Sequence, residues 1–181
     1  MRPTTTLRLL PWVLSIGVLA GCASPGAGRA TARATADVQF VARSGSALTG
    51  TLTLTEVRDG VRLRGEIRGL TAGAEHGFHI HDKGDCSAPD ATSAGGHFNP
   101  AGTAHGRYGS GAHHAGDLPS LVANPAGVAR VDQVVAGITL GTGANGISGR
   151  SMIVHRDRDD FTTQPTGNSG PRIGCGVVVL R

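Results

Sequence analysis

Between residues 47 and 70 the chain alternates apolar and polar side chains with a period of two. Leu48, Leu52 and Leu54 fall on one face and Thr49, Thr51, Thr53 and Thr55 on the other. After Asp59-Gly60, a strong hairpin-turn signal, Val61, Leu63, Gly65 and Ile67 alternate with Arg62, Arg64, Glu66 and Arg68. This is the signature of half-buried strands. With residues 37–43 it predicts three antiparallel strands over 37–70. Further strands are predicted at 75–81, 127–133, 149–155 and 173–180, with a weaker one near 136–140. No window sustains apolar residues at helical spacing, and no internal repeat is visible. About eight short strands in one domain predict an all-β sandwich or flattened barrel, immunoglobulin-like in architecture. Two stretches, 82–117 and 156–172, are too long and polar to be simple turns. Loops of that length and richness in His, Asp and Arg point to function.

The N-terminus breaks this pattern. A basic start containing Arg2 and Arg8 precedes an apolar run from Leu9 to Ala20. That run is shorter than the roughly 20 residues a membrane-spanning helix needs. A basic start, a short apolar centre and a small-residue exit describe a secretory signal. The exit, Leu19-Ala20-Gly21-Cys22, resembles a bacterial lipobox, in which the cysteine is acylated and becomes the new N-terminus. Residues 1–21 are therefore expected to be a lipoprotein signal peptide. Cys22 is expected to carry a lipid that tethers the protein to the extracytoplasmic face of the cell membrane. Residues 22–36 carry only small or polar side chains after Cys22 and read as a flexible tether. The folded domain is expected over 37–181.

Charge and cysteines then narrow the picture. The formal net charge is +4, but Arg2, Arg8, Arg29 and Arg33 lie in the signal and the tether. The domain itself is near neutral, so nothing argues for nucleic acid as a partner. With Cys22 assigned to lipid, Cys86 and Cys175 are free to pair in the oxidising space an exported protein enters. Such a bridge closes a long loop and is worth about 3–5 kcal/mol in the chain-entropy account.

The candidate chemistry lies in eight histidines. His79 and His81 are two apart on a predicted strand, so both point to one face, about 7 Å apart, able to hold one metal. Phe78 and Ile80 point to the core, and His76 shares their parity, so it reads as a hydrogen-bonded core histidine. His155 ends the apolar strand Ser151-Met152-Ile153-Val154. His97 sits in the glycine-flanked turn Gly95-Gly96-His97-Phe98-Asn99-Pro100. His105, His114 and Asp117 follow in the long polar loop, which cannot bury so many polar groups without partners. A nitrogen-rich set of this kind suits zinc or copper.

Taken together, His76-Gly77-Phe78-His79-Ile80-His81, Ala94-Gly95-Gly96-His97-Phe98-Asn99-Pro100, His114-Ala115-Gly116-Asp117-Leu118, Gly149-Arg150-Ser151-Met152-Ile153-Val154-His155 and Gly170-Pro171-Arg172-Ile173-Gly174-Cys175-Gly176-Val177 carry a resemblance. Across residues 37–181 the chain is similar to copper/zinc superoxide dismutases of the bacterial secreted type, and Cys86 follows His81 at the short spacing of that branch. The resemblance implies a Greek-key β-sandwich or flattened eight-stranded barrel with two long functional loops. It implies copper on His79, His81, His97 and His155, and zinc on His97, His105, His114 and Asp117. His97 would bridge both ions as an imidazolate. His113 matches no ligand position, although spacing alone permits a swap with His114. Asp159 matches a carboxylate that links His79 to His105, with Asp157 and Asp160 as close neighbours. Arg172 matches the active-site arginine that draws in the anion.

The activity so implied is conversion of two superoxide anions and two protons to dioxygen and hydrogen peroxide, by a copper that alternates between two oxidation states beside a structural zinc. Lys83 is the single lysine, so attraction of the anion falls to Arg156, Arg158 or Arg172. The rival readings are a copper-buffering module that kept the fold without turnover, a metal-free surface interaction module, and a zinc hydrolase. The last needs an open zinc position, which this donor set does not offer. Monomer and homodimer both remain open.

Overall fold

The structure, a computed structural model, describes Met1 and residues 33–181. The signal peptide, Cys22 and nearly all of the expected tether lie outside the described residues. Among the described residues no helix is long and apolar enough to cross a membrane.

Among the described residues nine strands form: β1 (Thr35–Ala42), β2 (Thr49–Val57), β3 (Gly60–Arg68), β4 (Glu75–His76), β5 (Phe78–His81), β6 (Leu121–Val122), β7 (Val128–Val135), β8 (Ser151–His155) and β9 (Arg172–Leu180). One 3-10 turn, Thr92–Ala94, interrupts the long loop after β5. Seven strands make one antiparallel sheet in the order β5-β8-β9-β1-β2-β3-β7, and β4 pairs with β6. The chain leaves β3 for β5 at the far edge, returns to β7 beside β3, and crosses again to β8 next to β5. These crossings are the Greek-key connections of an all-β sandwich. β6 packs against β7 and pairs with β4, which precedes β5, so the small sheet links the two ends of the large one.

The predicted hairpins form with the expected faces. Leu54 of β2 lies opposite Leu63 of β3, and both are fully buried. The core gathers the inward residues of all the long strands, with Phe40, Leu48, Leu52, Ile67, Phe78, Ile80, Phe98 and Met152 among its larger members. Burying a side chain of this size contributes about 1.5–3 kcal/mol.

Three expectations need correction. The first strand begins at Thr35 rather than Asp37, because Ala36 is fully buried and pairs with both Leu54 and Leu180. The stretch 75–81 is not one strand: Gly77 separates β4, which pairs with β6, from β5, which pairs with β8. Residues 136–140 form no strand. Gly137 has a left-handed backbone, and the pairing at Thr139 is a single isolated bridge to Gly146. The apolar pattern there is real, since Ile138 and Leu140 are buried, but it belongs to a loop that caps the core.

Candidate metal centre

β5 is an edge strand of the seven-stranded sheet, and an exposed edge invites pairing. Here the loop that follows it folds back and covers it. The Phe98 N–H donates to Ile80 O (2.8 Å), the Ile80 N–H to Gly116 O (2.8 Å) and the Leu118 N–H to Phe78 O (3.2 Å). Isolated bridges set His81 beside His97 and His79 beside Asp117. The loop that carries His97, His105, His114 and Asp117 is thus laid against the strand that carries His79 and His81. β8 pairs with β5 on its other side and ends at His155.

Two overlapping donor groups result. His79, His81, His97 and His155 bring one ligand atom each within 4.8 Å of one another, and so do His97, His105, His114 and Asp117. All seven residues are buried. His97 is common to both groups. Its ring centroid lies 4.0 Å from that of His79, 5.0 Å from His81, 5.3 Å from His105 and 5.4 Å from His114.

In the first group the surroundings fix which nitrogen is free. The His79 Nε2–H donates to Asp159 Oδ2 (2.7 Å), the His81 Nδ1–H to Gly95 O (2.9 Å) and the His155 Nδ1–H to Gly170 O (3.1 Å). That leaves His79 Nδ1, His81 Nε2 and His155 Nε2 buried without a hydrogen-bond partner, and His97 Nε2 shares this state. An unsatisfied buried polar atom costs about 1–3 kcal/mol. Four of them facing one another are not core filling; they are a donor set for a cation. Burial favours the neutral form of the His79, His81 and His155 rings. It draws His79 down to about 4, against the opposing pull of Asp159, and His155 to about 3. Burial and the neighbouring His97 push His81 lower still.

The second group is acidic at its centre. Asp117 Oδ1 accepts from His97 Nδ1 (2.9 Å) and His105 Nδ1 (3.0 Å), and His114 Nδ1 lies 3.4 Å away. Burial alone would raise Asp117, but these bonds and the N–H groups of Gly106 and His114 hold it well below the usual carboxylate range. Burial also opposes charge on His105, yet its bonds to Asp117 and Asp159 win and raise it to about 9.

The remaining candidates separate cleanly. Asp159 is the carboxylate between the groups: it accepts from His79 Nε2 at Oδ2 and from His105 Nε2 at Oδ1 (2.9 Å). Asp157 instead pairs with Arg156, and Asp160 accepts from Thr162 and Thr163. Gly167, in a left-handed conformation, roofs this junction. A Cβ there would sit 1.9 Å from Asp159 Oδ1. His114 joins the cluster, whereas the His113 Nδ1–H donates to His114 O and the ring lies against Tyr108. His76 is fully buried, with its Nδ1–H on His155 O (3.0 Å).

Cys86 and Cys175 form a disulfide, Cα–Cα 5.8 Å, in a small apolar cluster with Ala91, Ala94 and Ile153. The bridge holds the loop after β5 against β9. That loop in turn holds Arg172, whose Nη1 donates to Ala91 O (2.7 Å) and Nη2 to Gly95 O (2.8 Å). Arg172 lies opposite His155 in the β8–β9 register. Arg156 and Arg158 are exposed and pair with Asp157 and Glu75. The residue that sequence reading missed is Gln164, which bonds the backbone of His105. Its one legible signal was its place in a polar loop already marked as functional.

An antiparallel Greek-key β-fold with two donor groups sharing one imidazole defines a class of β-barrel protein built to hold a pair of cations. The comparisons specify it further. The family model for copper/zinc superoxide dismutase matches residues 48–178, and the chain belongs to that family. It is 41% identical over 136 residues to the copper-zinc superoxide dismutase of Caulobacter vibrioides, covering 71% of this chain and 77% of that protein. It is 38% identical over 185 residues to that of Deinococcus radiodurans, covering 95% of this chain and 96% of the other. Among solved structures, a superoxide dismutase-like protein from Bacillus subtilis matches with a TM-score of 0.71 at 39% identity, covering 77% of this chain and 95% of that one.

Proposed function

We propose that this chain is a superoxide dismutase, working at the outer side of the cell membrane. Family membership supports the activity, and one observation carries the site: the His97 ring belongs to both donor groups, with its Nδ1 toward Asp117 and its Nε2 unpartnered among the other three histidines. In this reading His79 Nδ1 and the Nε2 atoms of His81, His97 and His155 would hold copper. His97 Nδ1, His105, His114 and Asp117 would hold zinc. When bound, copper supplies one-electron exchange with superoxide and zinc supplies a redox-inert charge.

The chain's own side chains do the rest. His79, His81 and His155 each have one N–H fixed by an acceptor, which orients the opposite lone pair. For His97 to serve both donor groups its ring would have to give up its remaining proton, which two cations would favour. Asp159 ties the orientation of one group to that of the other. The Arg172 guanidinium, anchored by two carbonyls, presents positive charge to a small anion.

The location rests on Leu19-Ala20-Gly21-Cys22, with Cys22 as the lipid attachment point. Radiolabelled fatty acid should enter the parent chain and not Cys22→Ser, and the variant should leave the membrane fraction. The activity is tested by loading the protein with copper and zinc and following superoxide consumption beside His97→Ala. Metal uptake without consumption would leave a copper-holding module instead.

A further inference from the structure

His105 lies in a stretch without regular secondary structure, is buried, and is given no backbone partner by the turns and loops around it. Both of its main-chain groups go to one side chain. Its N–H donates to Gln164 Oε1 (2.8 Å), and its carbonyl accepts from Gln164 Nε2 (3.0 Å). The second N–H of that amide reaches Thr162 O (3.3 Å), within its own loop. The pairing imitates a two-hydrogen-bond strand contact, in which two residues exchange N–H and C=O.

Gln164 belongs to the 156–171 segment that also supplies Asp159, whose Oδ1 holds His105 Nε2 at 2.9 Å. Segment 159–164 therefore grips His105 at three points: N–H, C=O and ring. The single hold from its own loop is Asp117, a member of the same donor group (3.0 Å). Three other histidines of the centre are founded on strands. His79 and His81 are on β5, and His155 ends β8.

Resting on the zinc assignment made above, we propose that Gln164 is a positioning residue for zinc. By clamping the His105 backbone it presets the His105 ring and governs how tightly the second donor group retains its ion, without touching the ion itself. The chemistry requires glutamine: the clamp needs one donor and one acceptor on a planar amide of this length. Glutamate keeps the acceptor but offers no N–H, and alanine offers neither.

The test uses the full-length chain, stripped of metal and reloaded with zinc alone, titrated against a chromophoric zinc chelator. The parent is compared with Gln164→Ala, Gln164→Glu and His105→Ala, and copper affinity is measured separately on the same proteins. The expected result is a zinc affinity roughly 10- to 100-fold lower in Gln164→Ala, the range for losing a group that orients a ligand. Gln164→Glu should do no better than halfway, and copper affinity should stay within about twofold of the parent. Parent-like zinc affinity in Gln164→Ala beside lost affinity in His105→Ala overturns the role of Gln164 while leaving the zinc site intact. An equal fall in copper and zinc affinity also overturns it, since that marks general loosening. Full retention in Gln164→Glu removes the two-way clamp. Parent-like zinc affinity in His105→Ala sinks the zinc assignment itself, and the proposal with it.

Discussion

His81 and Arg172 share one acceptor: the Gly95 carbonyl takes the Nδ1–H of His81 at 2.9 Å and Nη2 of Arg172 at 2.8 Å. The orientation of an imidazole in the first donor group and the place of the guanidinium are therefore set by the same peptide. That peptide lies in the loop held by the Cys86–Cys175 bridge.

Arg172→Ala should keep copper and zinc at parent levels and consume superoxide on the order of tenfold more slowly, the scale of electrostatic attraction of a small anion. Arg172→Lys should recover part of the rate, because a point charge replaces the fork that spans Ala91 O and Gly95 O. Stopped-flow superoxide decay on metal-quantified protein checks both. An unchanged rate in Arg172→Ala would remove this residue from the reaction.

Asp159→Asn should weaken both metals at once. The asparagine amide offers one acceptor where two imidazole N–H groups need one each. Retention of each metal should fall about 10- to 100-fold, read by competition titration. Gly167→Ala should produce a similar phenotype, since its Cβ would meet the Asp159 carboxylate and the His105 ring nitrogen bonded to it.

His97→Ala should abolish turnover and separate the two sites. In the parent, prior zinc should change the copper titration, because the two donor groups share the His97 ring; in the variant the two titrations should become independent. Persistent coupling would show that the ring is not the link.

Replacing Cys86 and Cys175 by serine should lower stability by about 3–5 kcal/mol, read from urea denaturation of the metal-free protein. It should also slacken the loop that anchors Arg172. The rate at fixed metal content is expected to fall along with stability.

Removal of metal should lower the melting temperature, because an ion bound to the folded state alone stabilises it, by about 4 kcal/mol at a thousand times its dissociation constant. Differential scanning calorimetry with and without chelator measures this. A transition indifferent to chelator would favour a metal-free interaction module.

The period-two alternation over 47–70 dictated the β2–β3 hairpin and its buried face, since side-chain direction along a strand is local geometry. The same rule put His79 and His81 together. It did not separate β4 from β5 at Gly77, or recognise the two-residue β6, because those depend on which partner lies alongside. Ile138 and Leu140 mimicked a strand by being apolar at alternate positions, yet they are buried by a loop.

What the sequence by itself determined was the class of fold, the kinds of donor and the loops that carry them. These follow from residue type and spacing, and the recognisable order of the motifs reinforced them. Only the tertiary structure decided among chemically equal neighbours: Asp159 over Asp157 and Asp160, His114 over His113, and the part played by Gln164 at the His105 backbone. Such choices turn on convergence in space of segments some sixty to eighty residues apart. Covering the open edge of β5 is what folds one loop inward, and the disulfide fixes where its other end lies. Hydrogen bonds of that range leave no periodicity behind in the chain.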